Sequence, residues 1–130
     1  MSTPRTLALS GSPFEVSIGF SRGVRVGNHI FVSGTAPIGE AGETVGIGDI
    51  EVQTRRCFQL IAKAIGSLGG TLNDVVRTRM MLTDISLWEG AARVHGEIFG
   101  SIRPAATCVE VSRLIDPEWL IEIEADALVV

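Results

Sequence analysis

The stretch that most constrains this chain is its C-terminal run, WLIEIEADALVV. Period-two alternation puts Trp119, Ile121, Ile123, Ala125 and Ala127 on one side and Glu122, Glu124 and Asp126 on the other. A segment with that pattern is a strand with one dry face and one polar face. It needs neighbouring strands for its backbone and a cover for its apolar side. The pattern predicts a strand over 119–130, the longest in the chain.

Two helical periodicities supply the cover. From Asp49 to Leu68, the residues Cys57, Phe58, Ile61, Ile65 and Leu68 recur at three and four, which predicts an amphipathic helix. Asp49 is placed to cap its first turn and Gly69-Gly70 to end it. Ser86-Leu87-Trp88-Glu89 reads as a capping box opening a second helix. Its buried stripe is Leu87, Ala91, Val94 and Ile98, with Trp88, His95 and Phe99 beside it and Gly100 as its stop.

Between the helices, DVVRTRMMLTD predicts a strand of about eight residues. Val76, Thr78, Met80 and Leu82 share one face, and Arg77 and Arg79 point the other way. Upstream, GVRVGNHIFVSG reads as two strands joined at Gly27-Asn28, a dipeptide that tolerates positive φ. Gly39 to Asp49 is a glycine-rich loop, Thr107 to Val111 a further strand, and Asp116-Pro117 a turn.

The order is strands, helix, strand, helix, two strands, an α+β domain with a mixed sheet and both helices on one face. At 130 residues the chain is expected to be one domain, 1–130. Its hydrophobic share of 45% exceeds what a small monomer hides easily, so the uncovered sheet face is expected to meet a partner. A net charge of −4 without a basic stripe argues against nucleic acid. The start, MSTPRTLALSGSP, lacks an apolar targeting core, and no run reaches the ~18 apolar residues of a membrane span. Cys57, Cys108, His29 and His95 are scattered, without metal or redox spacing. A reducing, cytoplasmic setting is expected, with no metal and no membrane partner.

The polar face of the last strand allows two readings. The acids could form a solvated face, or one could turn into a cleft and act on a proton or a water. Cys108 shares a face with Ala106 and Glu110, lacks a neighbouring cation in sequence, and reads as a small hydrophobe rather than a nucleophile. His95 reads as structural or interfacial. VSGTAP lacks the lysine and following helix of a phosphate loop, and the glycines of 39–48 do not fit a dinucleotide motif.

Together, GFSRGVRVGNHIFVSGTAP, RPAATCVEV and LIEIEADALV resemble, in order and spacing, the signature regions of the Rid family. These are the reactive intermediate deaminases, also called YjgF or endoribonuclease L-PSP-like proteins. The likeness runs from Phe14 to the C-terminus. It implies a chorismate-mutase-like fold and a homotrimer with ligand clefts between subunits. In the deaminase branch the cleft hydrolyses imines or enamines released by pyridoxal-phosphate enzymes, such as 2-iminopropanoate, with no metal or organic cofactor.

The resemblance carries Glu122 over as the catalytic residue. It carries Ser33, Gly34 and Cys108 over as substrate-binding, with Phe20 in place of a cleft tyrosine. The deaminases have an arginine just before the Thr/Ser-Cys pair, and it holds the substrate carboxylate. Here that position is Ala106, which cannot replace a bidentate guanidinium. Arg22, two residues after Phe20 and so on the same side of an extended segment, is the other candidate cation. If Arg22 enters the cleft, small acids can still bind there; the balance favours Arg22 pointing to solvent, which would leave a net-negative cleft suited to neutral or cationic ligands.

The expected function is a trimer that binds or hydrolyses a small metabolite in an intersubunit cleft and is not an efficient 2-imino acid deaminase. If it is an enzyme, it is a hydrolase or deaminase of imine- or enamine-type molecules. The alternative is a non-catalytic ligand-binding or regulatory trimer. The ribonuclease or translation-inhibitor activity in some family names is disfavoured by the acidic balance.

Overall fold

The computed structural model describes residues 4–130. The strands are β1 (Arg5–Ala8), β2 (Gly23–Val26), β3 (His29–Thr35), β4 (Val75–Leu82), β5 (Ala105–Glu110) and β6 (Ile121–Leu128). The helices are α1 (Ile50–Ser67) and α2 (Trp88–Phe99). A π-helical turn covers Glu15–Gly19, and short 3-10 turns cover Leu72–Asp74 and Ile85–Leu87.

One six-stranded sheet has the order β1-β2-β3-β6-β4-β5. Every pairing is antiparallel except β4 with β5, which α2 connects. The alternating run is thus a central strand. Ile121, Ile123, Ala125 and Ala127 are buried and share the core with Phe58, Ile61, Ile65, Phe99 and Leu82. Both helices lie on that face, with α1 against β6 and β3 and α2 alongside α1. The opposite face carries Leu7, Val24, Phe31, Arg79 and the acids of β6, and among the described residues no helix covers it. Leu7 is 50% and Phe31 47% exposed there, more than a finished core surface would leave open.

Local signals act as the sequence indicates at several ends. The Asp49 carboxylate accepts from the N–H groups of Glu51 and Val52, both at 3.1 Å, capping α1. Gly69 takes φ +86° after α1, and Gly27 takes φ +59° in the β2–β3 turn. Fully buried Gln53 clamps the entry to β6, donating to the Glu118 carbonyl at 2.9 Å and accepting from Leu120 N–H at 2.8 Å.

Other expectations need correction. β6 has eight residues, as many as β4, and Trp119 lies before it in the turn closed by Trp119 N–H on the Asp116 carbonyl. In β4 a register shift between Val75 and Arg77 puts Val75, not Val76, inside. Val76 is 49% exposed, because a bulge sets two residues against one and reverses parity upstream of it. Ser86 does not cap α2. It lies in the preceding 3-10 turn, where the Asp84 carboxylate accepts from its N–H at 3.0 Å and its hydroxyl at 2.6 Å. Gly100 keeps right-handed helical geometry, and the chain turns at Arg103, φ +58°. A Cβ on Gly100 would lie 2.8 Å from the Gly96 carbonyl oxygen, so that glycine serves close packing. β5 starts two residues earlier than the alternation indicates, because pairing with β4 begins at Ala105.

Among the described residues, no helix is long and apolar enough to cross a membrane, and no three His, Cys, Asp or Glu side chains converge to hold a metal.

Candidate functional site

The π-helical turn sets up the first part of the site. Phe20 N–H donates to the Glu15 carbonyl at 2.9 Å and closes the turn, with Gly19 at φ +89°. Phe20 then enters extended geometry, φ −136°, so Phe20 and Arg22 fall on the same side. Arg22 N–H donates to the Ala8 carbonyl at 2.8 Å, and Ser33 N–H to the Arg22 carbonyl at 3.0 Å. The segment is fixed between β1 and β3.

The second part comes from a bulge. The pairing of β3 with β6 shifts between Val32 and Thr35, which brings Gly34 against Glu122. A Cβ on Gly34 would lie 2.5 Å from Glu122 Oε2. Glycine here lets the carboxylate approach the main chain. The Ser33 hydroxyl donates to the Ser21 carbonyl at 2.6 Å.

Arg22 does not point to solvent, against the sequence expectation. Its Nη1 donates to the Gly34 carbonyl at 3.1 Å, and its guanidinium carbon lies 5.1 Å from the Phe20 ring centroid. Its Nε is 4.0 Å from the buried Glu15 carboxylate. One chain therefore gathers Phe20, Arg22, Ser33, Gly34 and Glu122 at one end of the open sheet face. Burial pushes the Glu122 carboxyl above the ordinary carboxylate range; Arg22 pulls it down and Glu124 pushes it up. Burial lowers the Arg22 guanidinium, with Glu15 and Glu122 opposing that shift. Among the described residues Glu122 makes no direct ion pair. Glu124 and Asp126 instead share Arg79 Nη1, each at 3.2 Å.

Phe20 and Ser21 line two depressions. One, of about 360 Å³, also has Phe31, Ser33, Arg79 and Glu124 in its wall. The other, of about 610 Å³, is lined by Leu7, Leu9, Pro13 and Val16 and is open and apolar.

Ala106 and Cys108 do not join this cluster within one chain. They are in register with Thr78 and Met80, which are buried beneath the helices, whereas Glu122 is in register with Met81 on the opposite side. Both lie on edge strand β5. Burial pushes the Cys108 thiol up, away from a resting thiolate. His95 is structural: its Nε2 lies 2.8 Å from the buried Thr78 hydroxyl, with Phe99 at 4.8 Å and Phe58 at 5.7 Å between ring centroids. Burial lowers its pKa.

Sequence reasoning missed Glu15 and Arg79. An acid inside the apolar segment SPFEVSI is the available signal for the first. For Arg79 the face was legible, but its neighbouring strand was not.

The profile of the family described as "Endoribonuclease L-PSP" matches residues 11–129. A RutC family protein of Pyrococcus abyssi is 43% identical over 109 residues, 83% of this chain and 84% of the relative. The 3-aminoacrylate deaminase RutC of Acinetobacter baylyi is 36% identical over 100 residues, 77% of this chain and 79% of the relative. The crystal structure of a YjgF/YER057c/UK114 family member from Mycobacterium tuberculosis superposes with a TM-score of 0.87. It is 48% identical, and the match covers 97% of this chain and 100% of that one.

Proposed function

The chain belongs to the endoribonuclease L-PSP family, the YjgF or Rid proteins, and on that premise we propose that it binds and hydrolyses a small nitrogen-bearing metabolite in a cleft between copies of itself. The observation that carries this reading is the Glu122 carboxylate, seated against Gly34, partly withdrawn from water and facing Arg22. A carboxyl shifted up by burial is better placed than an exposed one to exchange a proton near neutrality. Phe20 forms an apolar wall, Ser33 and Gly34 the floor, and Arg22 a fixed cation. Ala106 and Cys108 face away from Glu122, so a second copy would bring its β5 edge to complete the cleft.

The chemistry that suits this set is hydrolysis of a carbon–nitrogen double bond. An enamine takes a proton on carbon to become an imine. Glu122 removes a proton from water as the water oxygen bonds to the imine carbon, and passes that proton to the imine nitrogen to give the carbinolamine. Glu122 then moves the hydroxyl proton to the same nitrogen as the C–N bond breaks, so the electron pair leaves with ammonia and a carbonyl remains. One imine and one water give one carbonyl compound and one ammonia. The relative that deaminates 3-aminoacrylate supports the enamine class.

Ala106 and the local charge argue against efficient deamination of simple 2-imino acids. Arg22, Glu15 and Glu122 sum to one negative charge when ionised. A carboxylate about 4 Å from an unbalanced negative charge is repelled by roughly 1–4 kcal/mol, depending on the local dielectric. A ligand with a cationic or donor nitrogen beside Glu122 avoids that repulsion.

The test uses 2-iminobutanoate generated in situ by a dehydratase. Little acceleration of ketoacid formation is expected from the native chain, and a measurable gain from Ala106→Arg. A native rate equal to that of an arginine-bearing deaminase would overturn the reading of position 106. Ala106 also favours a second reading, a ligand-binding trimer without turnover. Calorimetric binding of small amines or enamines with no product formed would select it.

A further inference from the structure

We propose that Glu15 is the positioning residue of this site, setting Arg22 and Phe20 opposite Glu122 through its side chain and its backbone carbonyl together. This rests on the assignment of Arg22 and Glu122 to the cleft.

Glu15 is an anomaly in its surroundings. Its side chain is 4% exposed, yet it lies in a segment whose other large residues, Phe14, Val16 and Ile18, project into solvent. A buried carboxylate is costly unless its oxygens are hydrogen-bonded and its charge is opposed. Ser10 meets the first need. Its N–H donates to both carboxylate oxygens, at 3.1 and 3.2 Å, and its hydroxyl donates to Oε2. Arg22 meets the second, with Nε 4.0 Å from Oε2, a charge contact rather than a hydrogen bond. The same residue accepts the Phe20 N–H at its backbone carbonyl. Phe20 and Arg22, the ring and the cation that stack on one another, are thus both anchored to residue 15.

A purely structural account would have Glu15 only close the loop with Ser10. The two accounts differ in what happens at Glu122. Arg22 and Glu124 face Glu122 on the open side of the sheet, and the thiol of Cys57, buried in the core on α1, also feels the Glu122 charge. Releasing Arg22 takes a cation from that set. Removing the Glu15 charge while Arg22 stays in place takes away only a more distant anion.

The test is a carbon-13 carboxyl titration of Glu122 in the full chain, with Glu122→Gln identifying the resonance. Glu15→Gln keeps the shape and an acceptor for Ser10. The expected result is an upward move of the Glu122 midpoint, because loss of the nearby cation favours the neutral carboxyl. A midpoint that stays or moves down in the folded variant would overturn the proposal. Ser10→Ala, which keeps the charge but loosens its hold, provides the same readout if Glu15→Gln does not fold; an upward move is again expected and an unmoved midpoint again overturns. The titration needs no ligand, so absence of turnover would count against the hydrolase reading alone. An unmoved midpoint in an active enzyme would remove the role of Glu15 and leave that of Glu122.

Discussion

Gly34 and Glu122 compete for the same space, and a single methyl group shows which yields. In Gly34→Ala the new Cβ would meet Glu122 Oε2 at 2.5 Å, the tip of a flexible side chain. Stability is expected to change by less than about 1–2 kcal/mol, because the carboxylate swings aside rather than the backbone. Any turnover or ligand binding should then fall sharply while urea denaturation barely shifts; intact function would show that Glu122 is not needed where it lies. The same carboxyl leaves a signature in stability against pH. Its folded value is raised, so between the ordinary carboxylate value and that raised value the folded state holds more protons than the unfolded one. Stability therefore declines as pH rises through that window. Glu122→Gln should remove this slope, as read from urea midpoints at a series of pH values; an unchanged slope would place Glu122 in water.

Among the elements, β6 depends on a side chain it does not own. Gln53 on α1 bonds the Glu118 carbonyl and the Leu120 N–H, fixing where the chain enters β6. Gln53→Leu leaves both main-chain groups without a partner and is expected to cost about 1–3 kcal/mol. The midpoint in urea should drop with little change in slope, whereas a loss of a few tenths would mean that water replaces the amide. The ends of α1 were legible because their signals are neighbours in sequence. Asp49 caps α1 because its acceptor is two and three residues from its donors. The supposed cap at Ser86 failed because Asp84, two residues earlier, holds Ser86 in a turn of its own. The inner face of β4 changed parity at a bulge, which depends on what pairs with it rather than on its own periodicity.

At the scale of the molecule, the two helices cover one sheet face and the described residues leave the other open, with half-exposed Leu7 and Phe31 on it. We expect three copies to close over that face. Light scattering at micromolar concentration should give a trimer mass, and a clean monomer would refute both the assembly and the completion of the cleft by a second β5. That expectation starts from a candidate site divided within one chain: Glu122 and Arg22 share one side, Ala106 and Cys108 the other.

What the sequence determined by itself is whatever lies within one element or one short block. The alternation of β6, the period and cap of α1, the turn at Gly27-Asn28, and the grouping of Phe20 with Arg22 on one side all belong here. Each follows from covalent spacing and backbone period alone. The tertiary structure decided the rest. It turned Arg22 inward onto Gly34, brought Gly34 to Glu122 through a bulge, and buried Glu15 between Ser10 and Arg22. It also set Ala106 and Cys108 on the far side of the sheet, by pairing β5 parallel to β4. Those contacts join residues far apart in the chain, and strand register, which no single strand's pattern contains, is what makes them.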